Sequence, residues 1–413
     1  MAGHTPPCLP CELVDADDRQ DPPNPSRDGG AAIIEGRELG ETMVATTGGW
    51  SGASAAGSDE HVSITGFLRE IESKREHTNV DDVLACLEHV LTGRVTQIQV
   101  AAFLTALRFA HLDRDARVVA GAVRLMKKHA LKPDLEGRDG LVDIVGTGGD
   151  GQNTFNVSTA AGILCAAAGL RVCKHGNRAA TSTAGSADLL VSLGAPVTNL
   201  KPSSISSVLK AASFVFLFAP IYHPALGPIA PVRKQLGFPT LFNLLGPLLN
   251  PAPIQARIIG VPTRELGSIF AQTLRELHIS KALVVCGQEG LDEISIAGPT
   301  HTWSVDRDAI VEETLHPSDF GVESHALKTV ISGTAEANAE TMRKLAAGKL
   351  PRGHPIRDFV VINAAALLRI SGMASSWQHG RAMIESVIDE ARGSTVIDLF
   401  VRQCQHEEGL YVQ

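Results

Sequence analysis

Aromatic residues are scarce in this 413-residue chain, 4% of the whole with only 2 tyrosines, which removes the stacking surfaces on which single-stranded nucleic acid is bound. Positive charge is short as well. Lys and Arg number 37 against 45 Asp and Glu, a net charge of −8 and the wrong sign for a protein whose main partner is a phosphate backbone. No apolar run approaches the roughly 20 residues that span a bilayer, and no basic-then-apolar pattern opens the chain, so neither a membrane partner nor a secretory signal is expected. The 7 cysteines are odd in number, scattered and mostly set in apolar runs, which argues against a disulfide framework. Cys8 and Cys11 make the one close pair, and no second pair or histidine spacing follows to complete a zinc site. A soluble, cytoplasmic protein is the expectation.

What is present is the make-up of a globular α/β enzyme: 44% apolar residues, 20% charged residues and 39 glycines. The length exceeds the roughly 250–300 residues that one core serves, which predicts two structural domains. Residues 1–61 are rich in Pro, Gly, Ser, Asp and Glu without any sustained period and are expected to be a disordered extension. Eleven acidic residues stand there against Arg19, Arg27 and Arg37, which is not the basic pattern of a transit peptide.

The helical period begins near residue 63. Ile64, Phe67, Leu68 and Ile71 fall on one face, then Val80, Val83, Leu84 and Leu87 behind Asn79 as N-cap, and Thr96 to Gln99 reads as a capping box. Residues 62–134 are therefore expected to form a small helical domain, joined by proline-interrupted helices from about 203–245. From Leu141 the character changes to short β-branched runs, LVDIV, LRVCK, APVTN, RIIGV and KALVVCG, separated by helical stretches. That alternation predicts, over 135–413, an α/β domain with a central mixed, mostly parallel sheet.

The run Leu141–Val145 passes straight into Gly146-Thr147-Gly148-Gly149-Asp150-Gly151, and a helix follows only after Asn156-Val157-Ser158-Thr159. Glycines there let successive N–H groups face one anion, and the helix N-terminus adds partial positive charge. The letters also fit the dinucleotide fingerprint, but the helix opens too late, and the second strand ends on Lys174-His175 rather than on a ribose-binding acid. A P-loop is excluded because no G-x-x-x-x-G-K-[ST] occurs. After Lys174-His175-Gly176-Asn177-Arg178 comes Thr181 to Asp188 at the mouth of another helix. Two loops at strand C-terminal ends share one crevice and together offer Lys, Arg, amide and hydroxyl groups to a polyphosphate.

Read singly, these features have plainer explanations. A Ser/Thr/Gly cluster before a helix is an ordinary cap, His175 a satisfied core histidine, Arg233-Lys234 a solvated helix face and Asp292-Glu293 an acidic turn. Their combination is more specific. GTGGD at 146–150, NVST at 156–159, KHGNR at 174–178, GSAD at 185–188, FNLLGPLLNPA at 242–252 and GLDEIS at 290–295 resemble, in order and spacing, the anthranilate phosphoribosyltransferase signature. HPSDFG at 316–321 and DFVVINAAALL at 358–368 resemble the same family, and the likeness covers about 63–400.

The resemblance implies transfer of the 5-phosphoribosyl group of phosphoribosyl pyrophosphate (PRPP) to the amino group of anthranilate, with two Mg2+ ions as cofactor, on a homodimer assembled through the helical domain. It assigns PRPP to Gly146, Thr147, Gly149, Asp150, Asn156, Ser158, Thr159, Lys174 and Ser186. Anthranilate goes to Gly146, His175, Asn177 and Arg233, and metal to Ser158, Asp292 and Glu293. No general base is assigned. Gly227-Pro228 and Leu249 depart from the family pattern, the first pair beside the expected anthranilate entrance. Two rivals remain at this point: a pyrimidine-nucleoside phosphorylase of the same fold, which uses phosphate and needs no acidic metal pair, and a non-catalytic relative that holds nucleic acid.

Overall fold

The computed structural model describes residues 61–137, 139–179 and 182–410, so the expected disordered extension, apart from its last residue, lies outside the described residues. Four helices open the described chain: α1 (Thr65–Lys74), α2 (Val80–Leu91), α3 (Gln97–Phe109) and α4 (Ala116–His129). Two of their starts are capped where the sequence predicts, though the expected capping box at Thr96 is half formed, since Gln99 Nε2 turns to Ser63 Oγ at 3.5 Å rather than back to Thr96. The Asn79 side chain accepts from the Asp81 N–H at 3.0 Å and Thr96 Oγ1 from the Gln99 N–H at 3.3 Å, each satisfying a helix donor that has no partner within the helix.

The α/β part follows as β1 (Leu141–Gly146), α5 (Val157–Ala167), β2 (Arg171–Gly176), α6 (Ser186–Ser192), α7 (Ile205–Ala212) and β3 (Phe214–Phe218). Three short helices come next, α8 (Ala219–Tyr222), α9 (Ala230–Leu236) and α10 (Leu241–Leu245), before β4 (Ala256–Gly260), α11 (Arg264–Glu276) and β5 (Lys281–Gly287). The chain ends in the hairpin β6 (Thr300–Asp306) and β7 (Ala309–Leu315), then α12 (Ala335–Ala346), α13 (Pro355–Ser371), α14 (Trp377–Asp389) and α15 (Arg392–Glu407). Among the described residues no helix is long and apolar enough to cross a membrane.

The expected mixed, mostly parallel sheet is present, with strand order β3-β2-β1-β4-β5-β6-β7. β3 through β5 run parallel, and β6 and β7 add an antiparallel hairpin. Two features differ from the sequence reading. APVTN at 195–199 forms turns rather than a strand, and the edge strand is FVFLF at 214–218, inside the stretch read as helical. Five consecutive apolar residues carry no period, so strand and buried helix look alike in them; pairing with β2 from Val172↔Phe214 to Gly176↔Phe218 decides the matter. Of the segment 203–245, α7 and β3 thus join the larger core, while α9 and α10 pack in the smaller one.

The two faces of the sheet feed those two cores. Val142, Ile144, Val172, Ile258 and Leu283 face α5 and α13, whereas Ile259, Val284 and Trp303 belong to the core of the helical part, which α11 joins by packing on both the sheet and α4. α13 is buried without a break from Arg357 to Leu368, which explains why its sequence is apolar all round. The chain runs outward from β1 to β3 and then returns to β4 on the other side of β1. Between β1 and β4 the loops diverge, and there an open parallel sheet has its ligand crevice, beyond the strand C-termini.

Candidate active site

β1 ends at Gly146, and the turn that follows wraps a carboxylate from 145 residues downstream. Gly148 and Gly149 adopt φ of 72° and 78°, a left-handed conformation that glycine alone takes at little cost. The Gly148 N–H donates to Asp292 Oδ2 at 2.6 Å, and Thr147 Oγ1 lies 3.4 Å from the same oxygen. Asp150 answers from the turn's far side: its Oδ1 accepts from the Gln152 N–H at 3.1 Å and its Oδ2 from the Asp292 N–H at 3.4 Å. Gln152 Nε2 donates to the Glu289 carbonyl at 2.7 Å, so the glycine turn and the acidic turn are tied at several points.

The acidic turn follows β5 and crosses the ends of β1 and β4. A Cβ on Gly146 would lie 2.5 Å from Asp292 Oδ2, and one on Gly260 would overlap the Asp292 carbonyl oxygen. Glycine at these paired strand ends is what lets the acidic turn approach. Asp292 and Glu293 are both buried, at 8% and 7% exposure. Burial pushes both carboxyls up, reinforced by Asp150 at Asp292 and by Asp292 at Glu293. Ser158, on the first turn of α5, lies near enough to Glu293 to oppose part of that rise.

Lys174, on β2, supplies the buried cation. It is 1% exposed, its Nζ donates to the Ile144 carbonyl, and its neighbouring charges are Asp143, Glu293 and Asp292. Burial lowers the ammonium's pKa, and the three neighbouring carboxylates only partly oppose that shift. Beneath them Asn250 Nδ2 donates to Asp143 Oδ2 and to the Cys173 carbonyl, both at 2.8 Å, locking β1 to β2.

Asn156 joins the two sequence loops. Its Nδ2 donates to the Ala184 carbonyl at 2.8 Å, and its Oδ1 accepts from Asn338 Nδ2 at 2.9 Å, a residue of α12 that local sequence gave no reason to select. Thr159 is wholly buried with no hydrogen-bond partner for Oγ1. Ser186 opens α6 and is half-buried beside Gly176. Asn177 is exposed at the rim, its Oδ1 accepting from the Arg178 N–H at 2.8 Å.

On the opposite sheet face His175 meets His223, a residue that sequence reasoning left unassigned. Their Nε2 atoms lie 3.3 Å apart with the rings edge-on. Arg233, on α9, stands apart from this pair: its Nη2 is 3.4 Å from Asn243 Oδ1 and its guanidinium lies 5.6 Å from the Phe242 ring centre. Its Nε is buried and has no hydrogen-bond partner. The structure therefore brings Gly146, Thr147, Asp150 and Asp292 into direct contact, sets Ser158, Lys174 and Glu293 nearby, reaches Asn156 and Ser186 through the second loop, and keeps Arg233 on the helical side.

Comparison with known proteins bears on the family and the fold. Residues 138–394 match the α/β domain of a glycosyl transferase family, and residues 68–130 match the helical bundle domain of that family. The chain is 49% identical over 298 residues to the anthranilate phosphoribosyltransferase of Schizosaccharomyces pombe, covering 72% of this chain and 84% of that one. The Saccharomyces cerevisiae enzyme in complex with PRPP and Mg superposes with a TM-score of 0.76 at 33% identity, over 83% of this chain and 99% of that one. The same enzyme in complex with 4-fluoroanthranilate gives 0.76 at 31% identity, over 83% and 98%.

The histidine pair sets an acid limit on the fold. Burial, then the neighbouring His223, holds His175 well below its ordinary range, and burial, then Lys127, lowers His223 from 6.5 to about 4. Both rings stay neutral in the folded chain at a pH where the unfolded chain binds protons. Their contribution to stability is complete above the unfolded value and is lost as pH falls from 6.5 towards 4. For His223 alone the loss between pH 7 and pH 5 comes to about 2 kcal/mol. Urea denaturation at the two pH values should show His223→Gln losing that much less stability than the parent; parallel losses in the two proteins would mean His223 is charged or solvated in the fold.

Proposed function

Because the chain belongs to the anthranilate phosphoribosyltransferase family, we propose that the crevice over β1 and β4 transfers the 5-phosphoribosyl group of PRPP to the amino group of anthranilate, releasing diphosphate. The observation that carries this reading is the buried acidic pair facing one buried lysine across a glycine turn. PRPP is assigned to Gly146, Thr147, Gly149, Asp150, Asn156, Ser158, Thr159, Lys174 and Ser186, and anthranilate to Gly146, His175, Asn177 and Arg233.

Asp292, Glu293 and Ser158 are assigned to two Mg2+ ions. The fit is supported by burial: two adjacent carboxylates pushed up by desolvation, with a single lysine nearby, gain from a hard cation that stabilises their charged forms. Among the described residues no cluster of three or more His, Cys, Asp or Glu side chains forms a metal cage. Magnesium is commonly held by one or two carboxylates together with substrate phosphates and water, which suits such a pair. When bound, the metal neutralises charge on the departing diphosphate.

The chain's own residues do the rest. Lys174 places a fixed positive charge at the strand ends, where negative charge grows as the C1–O bond breaks. Arg233, half-buried with a free Nε, offers a fork to the anthranilate carboxylate. The aniline nitrogen is a weak, neutral nucleophile, so orientation contributes more than a strong base. The phosphorylase reading is disfavoured by the acidic pair, which inorganic phosphate does not require. The division of the described chain into a helical part over 62–134 and an α/β part from 135 is supported by its two cores, with α9 and α10 on the helical side.

A homodimer through the helical part is supported by α3, where Ile98 and Phe109 are 83% and 77% exposed. Eleven residues apart, they share one face of the helix. Sedimentation should show the parent as a dimer and Phe109→Glu shifted to monomer; an unchanged mass would place the interface elsewhere.

Anthranilate fluorescence should decay on mixing the protein with PRPP and Mg2+, and PRPP with magnesium alone should leave it constant. Asp292→Asn with Glu293→Gln should lower turnover by orders of magnitude, partly restored by excess magnesium, with the circular dichroism unchanged. Near-parental turnover at low magnesium would reject the metal assignment and favour a phosphorylase. Arg233→Ala should raise KM for anthranilate at least tenfold while PRPP binding by calorimetry is kept, by loss of about 1.5–3 kcal/mol from a charged hydrogen bond. Equal loss of PRPP binding would show that Arg233 serves the other substrate.

A further inference from the structure

Residues 291–296 are buried yet belong to no strand, so their backbone groups must find partners one at a time. They do so from scattered sources. The Asp292 N–H goes to Asp150, the Ser295 N–H to Thr300 Oγ1 at 2.8 Å, and the Ile296 carbonyl accepts from the His325 N–H at 3.0 Å. Ile294, next to Glu293, is the exception. Its N–H donates to Asn363 Oδ1 at 3.1 Å, and Asn363 Nδ2 donates back to its carbonyl at 3.0 Å. One side-chain amide thus pairs with both backbone groups of one residue, as a neighbouring strand would.

Asn363 is itself immobilised. It lies in the middle of α13, is fully buried, and its Nδ2 also donates to the Phe359 carbonyl one turn back at 2.9 Å. Both amide protons and the carbonyl oxygen are engaged, so the group has no alternative orientation that keeps its bonds. α13 packs against β1, β4 and β5, the strands whose ends carry the site. The amide therefore transmits the position of a rigid helix to the main chain one residue beyond the acidic pair.

We infer that Asn363 is a positioning residue for the magnesium carboxylates: through Ile294 it fixes the aim of Asp292 and Glu293 without touching metal or substrate. The inference rests on the functional reading above, which assigns those carboxylates to metal. Groups behind metal ligands that hold them in place change metal affinity or activity by about 10–100-fold when removed.

The test is calorimetric titration of MgCl2 into the full-length protein with PRPP present and anthranilate absent, for the parent, Asn363→Leu and Asn363→Ala. Val361→Ala, a core truncation on the same helix, serves as the control for lost stability alone. The Asn363 variants should bind the cation about tenfold or more weakly, with KM for anthranilate unchanged, and the Val361 variant should match the parent. Should Asn363→Leu fail to fold, Asn363→Ala carries the comparison. Parental cation affinity in a folded Asn363 variant, or equal weakening in Val361→Ala, overturns the inference while leaving the transferase reading intact. A parent that binds no magnesium with PRPP overturns both, and a parent that binds magnesium but leaves anthranilate unconsumed overturns the transferase reading alone.

Discussion

The approach of the acidic turn to two glycines is the constraint on which the rest of the site depends. Asp292 passes so close to Gly146 and Gly260 that neither position has room for a Cβ. This contact binds the loops after β1 and β5 together over β4, and it carries two carboxylates into a region where burial raises the free energy of their charged forms. Much of the surrounding hydrogen bonding holds that arrangement in place. Gly148, Thr147, Asp150 and Gln152 grip the turn from one side, while Ser158 and Lys174 meet it from within. A site made in this way keeps its carboxylates in place before any ligand arrives, so the ordering entropy falls on folding rather than on binding.

The legibility of the sequence followed the range of the interactions involved. LVDIV and KALVVCG could be read as strands because their apolar runs are bounded by glycine and their environment is buried on both faces. GTGGD announced a turn for which left-handed residues are needed, and Gly148 and Gly149 supply them. APVTN and FVFLF mark the limit: the first looks β-branched but turns, and the second is a strand only because β2 lies beside it. Asn338, Asn363 and His223 were out of reach for a similar reason, since each acts on a residue 48 to 182 positions away and no local pattern distinguishes a buried amide with a distant partner from one without. Arg233 and Asp292 were identified by resemblance rather than by spacing.

Electrostatics divides the two faces of the sheet. On the α13 side, Lys174 has carboxylates as neighbours, whose charges partly offset the cost of burying it. On the helical side, His175 and His223 are buried and Arg233 is half-buried, none with an acid partner among the described residues, and burial lowers the pKa of all three.

The two edges of that sheet are closed by different means. β3, at one end, is buried against α7 and α15. β7, at the other end, is open, and its residues from Val311 to Thr314 are exposed, Glu312 and Glu313 among them. A strand from a second molecule could add to this edge only by bringing its own side chains up to two adjacent carboxylates and stripping water from them. Growth by strand addition is thus opposed by charge at this edge.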